Sequence, residues 1–306
     1  MVEKTPILDF FTYVFLLVGI FIVGFPILYS LIAATLPLDQ VSQVPMPLIP
    51  GDQFMINMKE AWSRGDLGTQ ILNSVIMASG ITAGKIAVSM IGAFSIVYFD
   101  YKFRVVAFAS VFCTLMLPVE VRILPTYEMA ANVLYPIQAL CNVLHLEGLL
   151  SWFAGNDISI NLNWSLLDSH TGLILPLVAS ATCTFLFRQF FLTVPEELCE
   201  AAKMDGASPM IFFRKILFPL SKTNIAALVV IEFVYGYNQY LWPLLITTNP
   251  KMTTAVIGLL NLIPQADDLP EWNVALCATL LVMLPPVLVV LFMQRWFVKG
   301  LIEKEK

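Results

Sequence analysis

Six long apolar segments constrain this chain more than any other feature of its sequence. They lie at residues 10–36, 71–99, 105–124, 171–191, 223–248 and 274–297. Each can cross a hydrocarbon core of roughly 30 Å, for which a helix needs about 20 residues. Backbone in lipid must satisfy its own hydrogen bonds, so each segment is predicted to be a helix. Since only 13% of the residues are charged, against about 25% in soluble domains, we predict an all-α membrane protein with six transmembrane helices in a single domain, residues 1–306.

The lysines and arginines between these segments predict the topology. If the N-terminus is cytoplasmic, twelve of the 17 fall on the cytoplasmic side, four fall on the outer side, and Lys85 lies within a span. Cytoplasmic loops carry such an excess of Lys and Arg. Both termini and residues 193–219 are therefore predicted inside, and the long connections at 37–70 and 126–170 are predicted outside.

The two outer connections differ in character. The first carries P-M-P-L-I-P-G at 45–51, which predicts extended chain along the surface because the residue before a proline disfavours helix. The second stays apolar but is too interrupted to cross the membrane twice. We expect one or two amphipathic helices there, lying on the outer surface of the membrane.

Residues 193–219, here called the elbow, form the longest polar run between two apolar segments. Thr193 and Glu196 fit a capping box that would begin a first helix, and Gly206 would end that helix where positive φ is easiest. Ser208, followed by a proline, would begin a second helix, which Pro219 would close. One face of the first helix would carry Leu198 and small residues that let a partner approach closely.

The elbow resembles the EAA loop of ABC importer permease subunits. Glu200-Ala201-Ala202, three residues, Gly206, nine residues and Ile216-Leu217-Phe218-Pro219 follow that pattern, with Phe218 where leucine is common. In that family the loop is cytoplasmic and fits a cleft on the ATPase, so the resemblance implies a cytoplasmic coupling-helix loop between helices 4 and 5. The residues that it assigns to ATPase coupling are Glu197, Glu200, Ala201, Ala202, Asp205, Gly206, Ala207 and Pro219.

The sequence carries no motif for ATP hydrolysis. The stretch from Gly80 to Lys85 misses the P-loop spacing by one residue, lacks the Ser or Thr after the lysine, and lies within an apolar segment. Five scattered cysteines and two histidines predict neither a disulfide framework nor a metal site. No basic cluster is interleaved with aromatics, as nucleic-acid binding would require. We expect a transport subunit rather than an enzyme, without a cofactor of its own, and with ATP and Mg bound by a partner ATPase.

Ionisable residues within or beside the spans are candidates for the solute path, because charge in a membrane is costly and usually functional. These residues are Lys85, Glu120, Arg122 and Glu232. Lys85 and Glu232 could instead neutralise each other inside the bundle. Arg122 could instead extend towards the outer headgroups.

The aromatic run at 237–245 is a further candidate. It resembles the W-N-x-[FY]-L-W-P-L block of carbohydrate-type importer permeases, which makes Asn238, Tyr240 and Trp242 candidates for the solute path. Aromatic residues near a membrane face also form interfacial belts, and the sequence leaves both interpretations open.

Within the carbohydrate-type importers, the resemblance extends to permeases of sn-glycerol-3-phosphate importers. It rests on L-M-L-P-V-E-V-R-I at 115–123, A-S-A-T-C-T-F-L-F-R-Q-F-F at 179–191, D-G-A-S-P-M at 205–210 and F-P-L-S-K-T-N at 218–224. It implies a bacterial inner-membrane heterodimer with a sister permease, two cytoplasmic ATPase subunits and a periplasmic solute-binding protein. Such a permease moves its solute, here sn-glycerol-3-phosphate or a related phosphodiester, by alternating access. The alternatives are a neutral sugar or polyol as the solute, or an ion-coupled carrier, although a carrier would not need the elbow.

Overall fold

The protein is helical throughout the described part of the chain. The computed structural model describes residues 6–117, 119–154, 162–263 and 270–302, and no β-strand occurs among them. Three short 3-10 turns, at Arg64–Asp66, Leu175–Leu177 and Pro250–Met252, and a π-helical turn, Phe213–Leu217, accompany the α-helices. The α-helices are α1 Pro6–Ala33, α2 Leu38–Val41, α3 Phe54–Ser63, α4 Leu67–Tyr98, α5 Arg104–Leu115, α6 Val119–Ala131, α7 Tyr135–Val143, α8 Leu146–Ala154, α9 His170–Ile174, α10 Ala181–Phe191, α11 Glu196–Met204, α12 Pro209–Phe212, α13 Phe218–Leu220, α14 Lys222–Tyr237, α15 Leu241–Ile246, α16 Ala255–Asn261 and α17 Trp272–Ile302.

Several of these helices are long and apolar enough to cross a membrane. Within the described residues, α1, α4 and α17 meet that requirement alone. Two bent pairs meet it together: His170–Leu177 with Ala181–Phe191, bent by 50°, and Pro209–Leu220 with Lys222–Tyr237, bent by 71°. The all-helical class and the presence of several apolar helices are therefore confirmed, whereas the count of six spans stays a prediction.

Three of the six predicted spans are not single straight helices. Span 105–124 divides into α5 and α6, and α6 continues beyond its predicted end to Ala131. Span 171–191 is interrupted between α9 and α10, and span 223–248 between α14 and α15. A proline cannot donate to the helix ladder and its ring clashes with the carbonyl four residues earlier. The prolines at 118, 176 and 243 account for the three interruptions, and Pro118 itself lies outside the described residues.

The chain divides into two compact units, Met1–Thr69 with Ala255–Leu284 and Gln70–Thr254 with Pro285–Lys306. In the first unit, residues 43–53 form no helix, as predicted for the proline-rich stretch, although Met46 is buried beside Ala33 and Leu36. The rest of the first outer connection is more ordered than predicted, since it contains α2 and α3. The Asn57 side chain on α3 donates to the carbonyls of Ala34 and Leu36. These bonds hold α3 next to the residues that follow α1.

The second unit contains two apolar clusters that position the candidate site. One joins α4, α10 and α14 to the elbow through Phe94, Phe187, Phe212 and Leu217. The other surrounds Trp242 and joins α4 to α9 and α15. Within residues 126–170, α7 and α8 agree with the expectation of one or two helices, while their position at the membrane surface stays a prediction.

Close packing of α9 generates a stability test. A Cβ added to Gly172 would lie 2.0 Å from the carbonyl oxygen of Leu166, so Gly172→Ala must displace backbone. We expect the free energy of unfolding to fall by roughly 1–3 kcal/mol, the usual cost of overpacking. A lower thermal midpoint of unfolding in detergent would show this loss. Gly24→Ala in α1 is the matched control, because nothing lies within 4 Å of its added Cβ. An unchanged midpoint for Gly172→Ala would contradict this packing.

Candidate functional site

A buried ion pair lies in the middle of the second unit. The Lys85 Nζ on α4 donates to the Glu232 Oε2 on α14 at 2.7 Å, and each side chain is only 7% exposed. Taking one such charge out of water costs several kcal/mol, and a close partner offsets much of that cost. Of the two interpretations that the sequence left open, mutual neutralisation is the one that the structure shows.

Two further side chains complete the environment of the pair. The Cys183 thiol of α10 donates to the other carboxylate oxygen of Glu232 at 2.8 Å. The Lys85 ammonium also lies 3.9 Å from the ring centroid of Tyr235, a cation–π geometry. Cys183 is placed by Ser180, whose hydroxyl accepts from the Cys183 N–H and so begins α10. Glu232 therefore connects three helices, α4, α10 and α14.

Sequence reasoning missed Cys183 and Tyr235. A lone cysteine in an apolar segment is usually an inert core residue, so the sequence carries no local signal for its contact. Tyr235 lies three residues after Glu232, on the same side of α14 by helical spacing. That spacing is the one signal that could have identified it.

The other charged candidates do not join this cluster. Arg122 lies on α6 with an exposed side chain, and no ion pair within the described residues involves it. The side chain of Glu120 lies outside what the structure describes. Lys85 and Arg122 are therefore not brought together as two free cations.

The aromatic run separates into core and surface. Trp242 is 2% exposed and its indole N–H donates to the Gly172 carbonyl at 3.2 Å, so it is a packing residue between α15 and α9. Asn238 and Tyr240 are exposed at the turn between α14 and α15. The place of these two residues in a solute path stays a prediction.

A cavity of about 580 Å³ lies between α4, α14 and the elbow. Its lining is almost wholly apolar or small, with Ala83 and Met90 on α4, Phe233 on α14 and Phe213 from the elbow. The hydroxyl of Thr82, which also lines it, already donates to the Ala78 carbonyl. This cavity offers no charged group to a solute.

The first helix of the elbow ends as predicted but begins differently. Gly206 has φ of +71°, its N–H donates to the Lys203 carbonyl, and the Ala207 N–H donates to the Ala202 carbonyl. These two bonds form a Schellman motif. The predicted capping box is wrong, because the Thr193 hydroxyl donates back to the Phe190 carbonyl and α11 begins after Pro195.

The second helix begins where it was predicted and continues past its predicted end. The Ser208 hydroxyl accepts from the Ile211 N–H, as an N-cap should. Pro219 does not close the helix. The π-helical turn at Phe213–Leu217 widens the helix just before that proline, where an α-helical hydrogen bond would be lost. The bend comes after Leu220 instead.

The elbow exposes charged side chains along with apolar ones such as Met204 and Met210, and packs other apolar residues inward. Ala202 is buried against the cluster of Phe212 and Leu217, so it holds α11 to its own chain rather than facing a partner. The outer surface carries exposed side chains, which are those of Glu196, Glu197, Glu200, Ala201, Lys203, Asp205, Arg214 and Lys215. Their role in ATPase coupling stays a prediction.

At the other end of the second unit, Asp168 links two connections. Its carboxylate accepts from the backbone N–H groups of Asn249 and Thr248 and from the Thr248 hydroxyl. These bonds, led by that from Asn249, hold the pKa of Asp168 below its ordinary value, because they favour the charged form. Within the described residues, no three His, Cys, Asp or Glu side chains gather in a way that could hold a metal ion.

Comparison with known proteins identifies the family. The profile of the family described as "Binding-protein-dependent transport system inner membrane component" matches residues 85–303. The chain belongs to this family. It is thus a transport permease subunit of the inner membrane rather than an enzyme, which confirms the resemblance read from the elbow. The match begins at Lys85 and includes Glu232 and the whole elbow.

Individual relatives match over their whole length. Three are named sn-glycerol-3-phosphate transport system permease protein UgpE: that of Pectobacterium atrosepticum is 48% identical over 312 residues, that of Escherichia coli O1:K1 47% over 313, and that of Yersinia pestis bv. Antiqua (strain Antiqua) 46% over 312. In each case the alignment covers all of this chain and all of the relative.

The ion pair of this permease generates a second test. Lys85→Met strands a buried carboxylate and Glu232→Gln strands a buried ammonium, so each should cost about 3–5 kcal/mol. The double variant Lys85→Met/Glu232→Leu removes both charges and should be more stable than either single variant. Thermal midpoint and folded yield in detergent measure the difference.

Arg104→Gln is the control for that series. Its pair with Asp100 at 3.4 Å is exposed. Breaking that pair should lower the free energy of unfolding by less than about 1 kcal/mol. Single variants of the buried pair that unfold like the wild-type protein would show that the pair contributes nothing to the fold.

Proposed function

We propose that this chain is one half of the translocation path of an ABC importer for sn-glycerol-3-phosphate. The observation that carries the proposal is identity of 46–48% over full length to relatives named as permeases of that solute. The chain would pair with a sister permease, two cytoplasmic ATPase subunits and a periplasmic binding protein. It would itself bind no cofactor, since ATP and Mg would be held by the ATPase.

The proposed topology has six spans with both termini and the elbow in the cytoplasm. Helices α1, α4 and α17 would each cross once, α5 with α6 would form the third span, α9 with α10 the fourth, and α14 with α15 the fifth. The excess of Lys and Arg on the proposed cytoplasmic side supports this orientation.

The elbow is the proposed contact with the ATPase. It continues into α14 through a 71° bend, so a movement imposed on the elbow would turn α14 as well. Glu232 lies on α14 and bonds to α4 and α10, which gives that turn a route into the rest of the second unit. Alternating access would then follow from closure of the ATPase dimer on ATP.

The charge of the solute sets a requirement on the path. A phosphate ester carries between one and two negative charges near neutral pH, with a second pKa of about 6. Lys85 is already neutralised by Glu232, so Arg122, at the outer end of the third proposed span, is the other candidate cation of this chain, and the sister permease could supply more positive charge. The same neutralised Lys85 favours the second candidate, a neutral sugar or polyol, whose path needs hydrogen bonds alone.

A reconstituted complex with its binding protein distinguishes the two candidates. We expect sn-glycerol-3-phosphate to stimulate ATP hydrolysis and to accumulate in proteoliposomes, and glycerol or a neutral oligosaccharide to do neither. Arg122→Gln should lower sn-glycerol-3-phosphate uptake by roughly 10-fold or more, since a hydrogen bond to a charged group contributes about 1.5–3 kcal/mol.

Lys59→Gln is the control for that experiment, because Lys59 is also exposed and lies on the same proposed side of the membrane. Equal uptake by Arg122→Gln and Lys59→Gln would remove Arg122 from the path. Stimulation by a neutral sugar but not by sn-glycerol-3-phosphate would overturn the solute assignment.

Coupling can be tested at the Schellman motif. Gly206→Val forces a β-branched residue to positive φ, at a cost of order 1–3 kcal/mol, and Glu200→Lys reverses an exposed charge. Both should assemble poorly with the ATPase or hydrolyse ATP without uptake. Met204→Val is the control for adding a β-branched residue, since Met204 is 83% exposed and lies in α11, where φ is negative. Wild-type uptake by both variants at wild-type expression would show that the elbow is not needed to couple ATP hydrolysis to transport.

A further inference from the structure

Helix α7 has its apolar side facing outward. At 100° per residue, Ile137, Leu140, Val143 and the C-cap residue Leu144 fall within one arc of about 120°. All four are more than half exposed. A helix on the surface of a water-soluble protein has the opposite arrangement, with its apolar stripe against the core.

Gln138, on the side of α7 opposite the apolar arc, bonds to the segment that follows α8. The Gln138 Oε1 accepts from the Leu162 N–H at 2.8 Å, and the Gln138 Nε2 donates to the Asn142 Oδ1 at 3.2 Å. Asn132, just before α7, donates to the Leu162 carbonyl and accepts from the Trp164 N–H. The bond from Leu162 to Gln138 and the Asn132 bonds just before α7 tie the helix to residues 162–164, so the apolar arc opposite Gln138 faces away from that segment.

Three features indicate that lipid covers this face. Residues 135–153 contain one charged side chain, Glu147, whereas protein-docking surfaces have a polar rim. Trp152 and Phe153 on α8 are each 77% exposed and in edge contact, the aromatic composition that membrane interfaces favour. The exposed apolar surface of α6, with Val121 and Leu124, leads into α7.

We propose that α7 and α8 dock on the membrane surface, with the outward face of α7 at the boundary between headgroups and acyl chains. This docking does not depend on the solute or on the ATPase. The choice of leaflet does rest on the proposed topology, which assigns residues 126–170 to the outer side.

Docking would also brace the connections between spans. Helix α7 holds Leu162 through Gln138, and six residues later Asp168 caps the backbone N–H groups of Thr248 and Asn249. A membrane-docked α7 thereby fixes the segment that leads into α9 and, through Asp168, the connection that follows α15. We expect the brace to keep this end of the second unit in place while the elbow end moves.

A photo-crosslinking amino acid placed at Leu140 tests the docking in the assembled transporter in native membrane vesicles. We expect phospholipid adducts at Leu140, several-fold more than at Asn142, which is exposed on the polar side of the same helix. Phe15 in α1, 79% exposed in an apolar helix, is the positive control for lipid capture. Membrane level and co-purification of the complex are measured for each variant.

Four outcomes decide the proposal. Lipid adducts at Leu140 above those at Asn142 support it. Polypeptide adducts at Leu140, for example to a solute-binding protein, overturn it in favour of a docking surface for protein. Equal lipid capture at both positions overturns the assigned orientation of α7, and no adduct at either position overturns docking altogether.

A second measurement covers the case in which a crosslinker disturbs the fold. The fraction of tryptophan emission that brominated lipids quench should be smaller in Trp152→Phe than in the unmodified protein. Trp152 would contribute the shallow, lipid-accessible part of that emission. Quenching unchanged by Trp152→Phe would count against the proposal. Access of an aqueous quencher from one side of sealed vesicles identifies the leaflet, so an error in topology is distinguishable from a failure of docking.

Discussion

The contact between Lys85 and Glu232 is the interaction on which the second unit depends. Helices in a membrane gain little from hiding apolar surface from each other, because lipid tails are equally apolar. Two buried charges at 2.7 Å change that balance, since separating them would leave each uncompensated in a medium of low polarity. Glu232 also accepts from Cys183, so one carboxylate determines how α4, α10 and α14 can lie together.

The elbow is packed on itself and continues directly into α14. Its first helix is closed by the Schellman motif at Gly206, and the Ala202 on that helix packs against Phe212 and Leu217 of the second. The π-helical turn lets the chain pass Pro219 without ending the helix, and a single bend separates it from α14. A polar segment with an apolar underside of its own does not need a partner to hold its shape, so it can present a preformed charged surface to one.

The sequence predicted which segments are helical better than it predicted where those helices are interrupted. The apolar lengths and the charge pattern identified the helical membrane class, and the glycine at 206 was placed at positive φ because few other residues tolerate it. Spans 171–191 and 223–248 were predicted as continuous helices and are interrupted near Pro176 and Pro243, since the surrounding packing decides whether a proline bends or ends a helix. The capping box failed because α11 has its N-cap at Pro195, two residues later than a box starting at Thr193 requires. The pairing of Lys85 with Glu232 joins residues 147 apart in sequence, so the sequence could offer it as one of two interpretations but no local pattern could decide between them.

The presence of the Lys85–Glu232 ion pair near several helix-contact glycines has a physical explanation. A Cβ on Gly80, Gly84 or Gly236 would collide with Ile174, Val178 or Ala78, so these glycines let the neighbouring helices approach closely. Glycine surfaces of this kind allow close contact between helices. They only weakly fix the position of one helix along the axis of the other. A charged pair with a bonded third partner does specify it, because a displacement of one helical turn, about 5.4 Å, would break the bonds from both Lys85 and Cys183. The bonds of Lys85 and Cys183 to Glu232 therefore fix the register of α4, α10 and α14, which the glycine contacts alone would leave weakly specified.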